Sequence, residues 1–264
     1  METAVTVPKI VALKGEQKIA ALTAYDFCFA SLLDGAVDIL LVGDSAANVF
    51  SGEATTLSFT MEEALYHCRA VRRAVRQSLL VADMPFLSYQ VGPEQAMENA
   101  GRFFKEAQVD AVKLEGGAAV VETVRRLVQA GMPVMGHLGL TPQSVRAFGG
   151  FGLQAADEKD AERLLEDAVL LQQAGVFSLV LEKIPAALAQ RVSDTISVPT
   201  IGIGAGPGCD GQILVLHDLL GLFEQFKPKF VRRYAELGPV IHRAGLQYAE
   251  DVRNGTFPSS AESY

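Results

Sequence analysis

The chain has 264 residues, of which 49% are hydrophobic, and it carries a formal net charge of −8 with an isoelectric point near 5.1. This length and composition allow a large hydrophobic core. The acidic balance and the lack of a long Lys/Arg run argue against nucleic acid or an anionic membrane surface as a partner.

Apolar runs such as residues 36–43 are far shorter than the roughly 20 residues that a membrane span requires. The N-terminal stretch shows no secretory signal pattern. The three cysteines have no metal-ligand spacing, and their odd number favours a reducing compartment. We therefore expect a soluble, cytoplasmic protein with no membrane partner.

Short, nearly continuous apolar runs recur along the chain, as is typical of parallel strands that are covered on both faces. They predict eight strands, at residues 18–26, 38–45, 78–86, 110–117, 133–140, 177–184, 198–206 and 211–218.

Helical patterns with recognisable ends separate most of these strands. Thr60 and Glu63 have the spacing of a capping box, and Pro93 suits a first helical position. Ala-Gly pairs at 130–131 and 174–175 are typical helix ends. Only about four residues separate the last two predicted strands, too few for a helix, so a short loop must replace it there.

Eight strands alternating with helices predict a (β/α)8 TIM barrel, with a doubly wound open sheet as the alternative. We expect residues 1–264 to form a single domain. Residues 221–264 are predicted to be a mainly helical C-terminal segment, packed outside the barrel or against a neighbouring subunit.

Ionisable side chains mark the C-terminal ends of the strands, where barrel enzymes carry their catalytic groups. Four strand ends bear a carboxylate, and His137 ends a fifth strand, although it could equally be a core histidine. Asp26 is better explained as a helix N-cap. The four strand-end carboxylates are Asp44, Asp83, Glu115 and Glu182.

Carboxylates gathered at one end of a barrel repel one another unless a cation neutralises them. Oxygen ligands without cysteine favour Mg²⁺ over zinc. Lys113 and Glu115 lie two residues apart and so face the same way in a strand. Lys113 could neutralise a substrate carboxylate or a developing oxyanion. A Schiff-base role is the alternative, but nearby acids would keep the lysine protonated.

Two glycine-rich stretches have different interpretations. Residues 206–211 match G-x-G-x-x-G, but they precede a strand and contain Pro207, so a dinucleotide site is not expected. Residues 147–160 form a Gly-rich connection and a candidate lid over an active site.

Several segments together resemble the ketopantoate hydroxymethyltransferase family, in order from about residue 18 to about residue 255. They read LLVGDS, VADMPF, VKLEGG, GHLGLTPQSV, LVLEKIP and IGIGAGPGCDGQILVLHDLLG. The resemblance implies a (β/α)8 barrel near the phosphoenolpyruvate mutase and isocitrate lyase enzymes. It also implies transfer of a one-carbon unit from 5,10-methylenetetrahydrofolate to 3-methyl-2-oxobutanoate in pantothenate biosynthesis, by a homodecamer.

The same resemblance implies roles for individual residues. One Mg²⁺ per subunit would be held by Asp44, Asp83 and Glu115, and Glu182 would be the catalytic base. Groups around the oxo acid would be Asp44, Ser45, Asp83, Lys113 and His137.

One segment departs from the family pattern. The family usually has Leu-Gly-Met where this chain has Ala46, Ala47 and Asn48. We expect this difference to affect substrate affinity or closure of the following loop. Two other functions stay open at this point: a folate-independent C–C lyase or mutase acting on a 2-oxo acid, and a non-catalytic barrel that serves as a binding or scaffold protein.

Overall fold

The structure is a computed structural model that describes residues 4–223 and 228–264. Two compact units divide the chain, Met1–Val215 and Leu216–Tyr264. The single-domain arrangement stays a prediction.

The first unit contains a closed barrel of eight parallel strands in sequential order, in which the last strand pairs with the first. This confirms the (β/α)8 prediction and rules out the open sheet. Each predicted strand is present but shorter than expected. The strands are β1 (Ile19–Thr23), β2 (Ile39–Val42), β3 (Leu79–Asp83), β4 (Ala111–Lys113), β5 (Val134–Gly139), β6 (Ser178–Glu182), β7 (Thr200–Ile203) and β8 (Gly211–Leu214).

Helices of the first unit begin and end where the sequence signals predict. Thr60 and Glu63 form the capping box, Asp26 accepts a hydrogen bond from Phe29 N as an N-cap, and Gly175 ends its helix in the left-handed conformation. The helices are α1 (Val7–Ala12), α2 (Phe27–Leu33), α3 (Ala46–Val49), α4 (Met61–Ala74), α5 (Pro93–Glu106), α6 (Val121–Gln129), α7 (Val145–Phe148), α8 (Glu158–Ala174) and α9 (Ala186–Thr195).

A loop, residues 204–210, connects β7 to β8 in place of a helix, as the short spacing predicts. Asp210 fixes this loop. Its Oδ2 accepts hydrogen bonds from Thr200 N at 2.8 Å, from Thr200 Oγ1 at 3.0 Å and from Lys14 Nζ at 2.8 Å. Side-chain hydrogen bonds, in place of a packed crossover helix, thus hold this connection against the barrel.

The residues that face the barrel interior form two layers, an apolar one and an ionisable one. On β3, Leu79 and Val81 belong to the buried apolar core, and Asp83 follows them on the same face. Ala111 of β4 is likewise followed by Lys113. Met135 and Val180 precede His137 and Glu182 in the same way. The ionisable groups therefore gather at the C-terminal end, above an apolar core.

The second unit contains α10 (Leu216–Leu219), α11 (Leu237–Arg253) and a 3₁₀ turn at Ser260–Glu262. None of the side chains of α11 is buried within the part of the chain that the structure describes. The predicted segment 221–264 is partly helical, and its residues 224–227 lie outside the described residues. Among the described helices, none combines the length and the apolar composition needed to cross a membrane.

Candidate active site

The structure gathers five of the predicted site residues into one buried cluster at the C-terminal end of the barrel. Their exposure ranges from 2% for His137 to 5% for Glu115. Glu182 lies at the edge, with 17% of its side chain exposed. The buried members are Asp44, Asp83, Lys113, Glu115 and His137.

Lys113 and Asp83 form the tightest ion pair of the cluster. The two residues are register partners on β4 and β3, and Lys113 Nζ donates to Asp83 Oδ1 at 2.6 Å and Oδ2 at 2.7 Å. Burial by itself lowers the pKa of Lys113, but Asp83, Glu115 and Asp44 outweigh it and raise that pKa above its ordinary value. Lys113 is therefore held as a cation, which disfavours a role as an amine nucleophile.

His137 lies between two carboxylates. Its Nδ1 is 3.3 Å from Glu115 Oε1, and its Nε2 is 3.3 Å from Glu182 Oε2. Burial and the charge of Lys113 lower the pKa of His137, but Glu115 and Glu182 overcome both and raise it to about 9. The ring is therefore an imidazolium at neutral pH, and His137 belongs to the site, not to an apolar core.

The three buried carboxylates respond differently to this environment. Burial, followed by repulsion from Asp83 and Glu115, raises the pKa of Asp44 well above its ordinary value. Burial also raises the pKa of Asp83, although Lys113 opposes it. Burial raises the pKa of Glu115 as well, but His137 and Lys113 outweigh that effect and lower it overall. Asp44 is the acid that the existing cations neutralise least.

This charge balance suits a divalent cation. With Asp44, Asp83 and Glu115 all ionised, the buried acids would exceed the positive charges of Lys113 and His137 by one, and the raised pKa of Asp44 shows that this form is unfavourable without a further cation. A Mg²⁺ ion together with a monoanionic 2-oxo acid would bring the buried charge to zero. Carboxylate oxygens are also the ligands that Mg²⁺ prefers.

The described side chains of the cluster do not form a preassembled metal site. Among residues 4–223 and 228–264, no group of three or more His, Cys, Asp or Glu side chains is arranged to enclose a metal ion. Mg²⁺ commonly uses only one or two protein carboxylates and completes its shell with water and substrate oxygens. The backbone N of Asp44 donates to Asp83 Oδ2 at 3.4 Å, which places the Asp83 carboxylate next to the backbone of Asp44. The proposed ligand trio with Glu115 stays a prediction.

Ser45 and the unusual segment after it form a folded turn. Ser45 Oγ lies 2.8 Å from the hydroxyl of Tyr25. Ala46 and Ala47 begin α3 and are buried, and Asn48 Nδ2 donates to Glu53 O at 2.8 Å. The small residues of this chain therefore pack inside the turn.

The candidate lid is attached to the strand that carries Glu182. Lys183, whose φ is +48°, accepts a hydrogen bond from Gln154 N at 3.0 Å, and its ammonium donates to Phe151 O. A cavity of about 230 Å³ lies under this connection, lined by Phe148 and Gln154 of the lid and by Gly116, which follows Glu115.

Sequence reasoning missed two buried polar residues of the site, Tyr89 and Gln143. Both form hydrogen bonds to the acid cluster. Gln143 falls within the segment GHLGLTPQSV that carries the family resemblance, but an uncharged amide gives no chemical signal of its own in a sequence.

Comparisons with known proteins identify the family of this chain. The sequence pattern of the ketopantoate hydroxymethyltransferase family matches residues 4–260. A 3-methyl-2-oxobutanoate hydroxymethyltransferase of Chlorobium phaeobacteroides is 55% identical over 266 residues, covering 98% of this chain and 96% of the relative. One from Syntrophus aciditrophicus is 54% identical, covering 95% of this chain and 92% of the relative.

Solved structures with low identity share the fold. A 2,3-dimethylmalate lyase of the PEP mutase/isocitrate lyase superfamily has a TM-score of 0.60 at 18% identity, covering 100% of this chain and 93% of its own. A phosphonopyruvate hydrolase in complex with oxalate and Mg²⁺ has a TM-score of 0.61 at 12% identity, covering 97% and 93%. The fold is that of these enzymes, and by sequence the chain belongs to the ketopantoate hydroxymethyltransferase family.

Proposed function

We propose that the protein transfers a hydroxymethyl group from 5,10-methylenetetrahydrofolate to 3-methyl-2-oxobutanoate, giving 2-dehydropantoate for pantothenate and coenzyme A biosynthesis. The observation that carries this proposal is the buried cluster of acids with Lys113 and His137 beside Glu182, in a chain of this family.

Asp44 and Asp83, with Glu115, would hold one Mg²⁺ per subunit. When bound, Mg²⁺ would act as a Lewis acid toward the charge that develops on the oxo acid. The phosphonopyruvate hydrolase that shares this fold is described as a complex with oxalate and Mg²⁺, which supports such a site here.

Lys113 and His137 supply fixed positive charge next to the place of the oxo acid. Both are cationic at neutral pH because the surrounding carboxylates raise their pKa values. A substrate carboxylate and a developing enolate oxygen are each stabilised by cations that are already oriented. Asp83 and the two residues before α3, Asp44 and Ser45, complete the set of groups that we place around the oxo acid.

Glu182 is the general base of this proposal. It is the least buried acid of the site, and its Oε2 lies 3.3 Å from His137 Nε2, within ion-pair distance. Glu182 takes the proton from C3 of the oxo acid, and the electrons of that C–H bond form the enolate. The enolate carbon then bonds to the methylene carbon as the two C–N bonds that join this carbon to the folate are broken in turn. Water supplies the hydroxyl group of the product, its remaining proton and the proton taken by Glu182 pass to the two folate nitrogens, and tetrahydrofolate leaves.

Isotope exchange tests this assignment. We expect Glu182→Gln to bind Mg²⁺ and 3-methyl-2-oxobutanoate but to lose exchange of the C3 deuteron, followed by proton NMR. Glu98→Gln, an exposed change on α5, is the control and should exchange like the wild type. Exchange at the wild-type rate in Glu182→Gln would show that Glu182 is not the base.

Adding 5,10-methylenetetrahydrofolate to the same sample tests the second half of the reaction. Folate-dependent formation of 2-dehydropantoate is the expected result. Exchange without folate-dependent product would indicate a C–C lyase or mutase, the function that family membership does not favour. A lack of both exchange and Mg²⁺ binding would indicate a non-catalytic barrel.

A further inference from the structure

Two neutral side chains, Gln143 and Tyr89, connect the acids of the cluster to one another. Gln143 lies in the 3₁₀ turn Pro142–Ser144 that follows β5, and Tyr89 lies between β3 and α5. They are 5% and 1% exposed. Neither can act as the base or carry the charge of the reaction, so their burial here needs another explanation.

The amide of Gln143 uses all its hydrogen-bonding capacity. Its Nε2 donates to Asp44 Oδ2 at 3.1 Å and to Met84 O at 2.9 Å. Its Oε1 accepts from the Tyr89 hydroxyl at 2.7 Å and from Gln90 Nε2 at 2.9 Å. Because the backbone carbonyl of Met84 can only accept, the NH₂ group must face Met84 and Asp44.

Gln143 and Tyr89 also hold Glu115. The backbone N of Gln143 donates to Glu115 Oε2 at 3.0 Å. The backbone N of Glu115 donates to the Tyr89 hydroxyl at 3.0 Å, while that hydroxyl gives its single hydrogen to Gln143. One oxygen of Asp44 and one oxygen of Glu115 are thus fixed through the same residue.

The acids of the cluster are therefore held in two ways, one by a cation and the others by a neutral residue. Both oxygens of Asp83 are held by Lys113. Asp44 and Glu115 come from different loops, after β2 and β4, and Gln143 reaches them from a third loop, after β5. Hydrogen bonds to an ionised acceptor are stronger than neutral ones and fix its direction.

We propose that Gln143 is a positioning residue, which orients the carboxylates of Asp44 and Glu115 for Mg²⁺ and the oxo acid, and that the Tyr89 hydroxyl fixes the orientation of the Gln143 amide. This inference rests on the proposed function. Residues that support metal ligands in this way typically change metal affinity or activity by about 10–100-fold when they are replaced.

Gln143→Met tests the proposal because methionine keeps the length of the side chain and removes the hydrogen bonds of the amide, including the one to Asp44, while the backbone N–H that holds Glu115 stays. We expect the Mg²⁺ affinity, measured by titration calorimetry with 3-methyl-2-oxobutanoate present, to fall by about 10–100-fold. Tyr89→Phe should cause a smaller loss, because Gln90 still donates to Gln143 Oε1. In the double variant the combined loss should be smaller than the product of the two, since both residues act in one network.

Two matched variants serve as controls. Gln190→Met changes an exposed residue of α9. Tyr66→Phe removes the hydroxyl of a residue that is 65% exposed. Both should leave Mg²⁺ affinity unchanged. Thermal unfolding followed by circular dichroism shows whether each variant is folded. If Gln143→Met does not fold, Tyr89→Phe alone decides.

Mg²⁺ affinity within about twofold of the wild type in both Gln143→Met and Tyr89→Phe, against the much larger loss expected, would overturn the inference. A change in melting temperature alone would show a purely structural role and would also overturn it. The wild type separates the two proposals: if it binds Mg²⁺ and exchanges the C3 proton while the variants match it, only the positioning role fails. If the wild type does neither, both proposals fail.

Discussion

Charged side chains in this barrel are stable only as a set. Lys113 and Asp83 are nearly inaccessible to water, and a single buried charge without a partner is costly. Each cation of the cluster contacts more than one carboxylate, and each acid has at least one polar contact. Changing one residue therefore alters the ionisation of the others.

Lys113→Met should destabilise the protein strongly at pH 8, by about 3–5 kcal/mol, because it leaves Asp83 buried without its cation. The loss should be smaller at pH 5, where Asp83, whose pKa burial already raises, can take up a proton. Urea unfolding at both pH values measures the effect. Lys105→Met, at an exposed position of α5, should change stability by less than about 0.5 kcal/mol. An equally small effect of Lys113→Met would contradict this account of the pair.

His137 predicts a loss of stability in alkali. Its pKa is raised from 6.5 to about 9, so its contribution is fully present below pH 6.5 and disappears as the pH rises through about 9. We expect the unfolding free energy of the ligand-free protein to fall over this range by at most about 3–4 kcal/mol, since each unit of pKa corresponds to about 1.4 kcal/mol. His137→Gln should flatten the curve there. An unchanged slope in that variant would show that the ring is neutral in the folded protein.

At the scale of elements, the site depends on the close approach between the C-terminal ends of β5 and β6. Gly139, the last residue of β5, has a φ of +90°, and a Cβ on it would lie 2.2 Å from Glu182 O. Leu140 N donates to that same oxygen at 2.8 Å. Any side chain at residue 139 would therefore clash with the last residue of β6, Glu182, and would displace it relative to His137.

Gly139→Ala is expected to destabilise the protein by about 1–3 kcal/mol through backbone strain and steric conflict. C3 proton exchange should slow by about tenfold or more, because displacement of a base by a fraction of an ångström weakens catalysis. The control is Gly101→Ala in the middle of α5, where no atom lies near the new methyl group. That change should stabilise the protein by about 0.5–1 kcal/mol. Normal exchange in Gly139→Ala would contradict this role of the glycine.

At the scale of the whole molecule, we expect the candidate lid at residues 147–160 to respond to substrate, since it is hydrogen-bonded to Lys183, directly after Glu182. Backbone amides of a loop that closes over a ligand exchange more slowly. We expect slower hydrogen exchange of residues 147–160 when Mg²⁺ and the oxo acid are bound. Residues 186–195, on α9, should not change. Equal exchange rates of the lid with and without ligand would contradict a closing motion.

Assembly is the second prediction at this scale. Family resemblance implies a homodecamer, and α11 exposes apolar side chains that a further surface could cover, among them Ile241, Leu246 and Tyr248. Sedimentation velocity at micromolar concentration should show a single species of about ten chains. A monomer under these conditions would contradict the predicted assembly.

Local patterns in the sequence determined much of this protein. Apolar runs and helix-end signals predicted the eight strands, the capping box at Thr60 and the N-cap at Asp26, because each depends on residues close in the chain. Strand ends in a parallel barrel share one side, so the acids at these ends, with Lys113 and His137, could be predicted to lie together.

Only the tertiary structure decided how these groups interact. The pairing of Lys113 with Asp83 depends on strand register, and the protonation of His137 depends on two carboxylates from different strands. The positions of Tyr89 and Gln143 follow from three loops meeting in space, which no local pattern encodes. The sequence thus determined which side chains are available at one end of the barrel. Distance and burial, which exist only in the folded chain, decided their charges and partners, because electrostatic interactions depend on both.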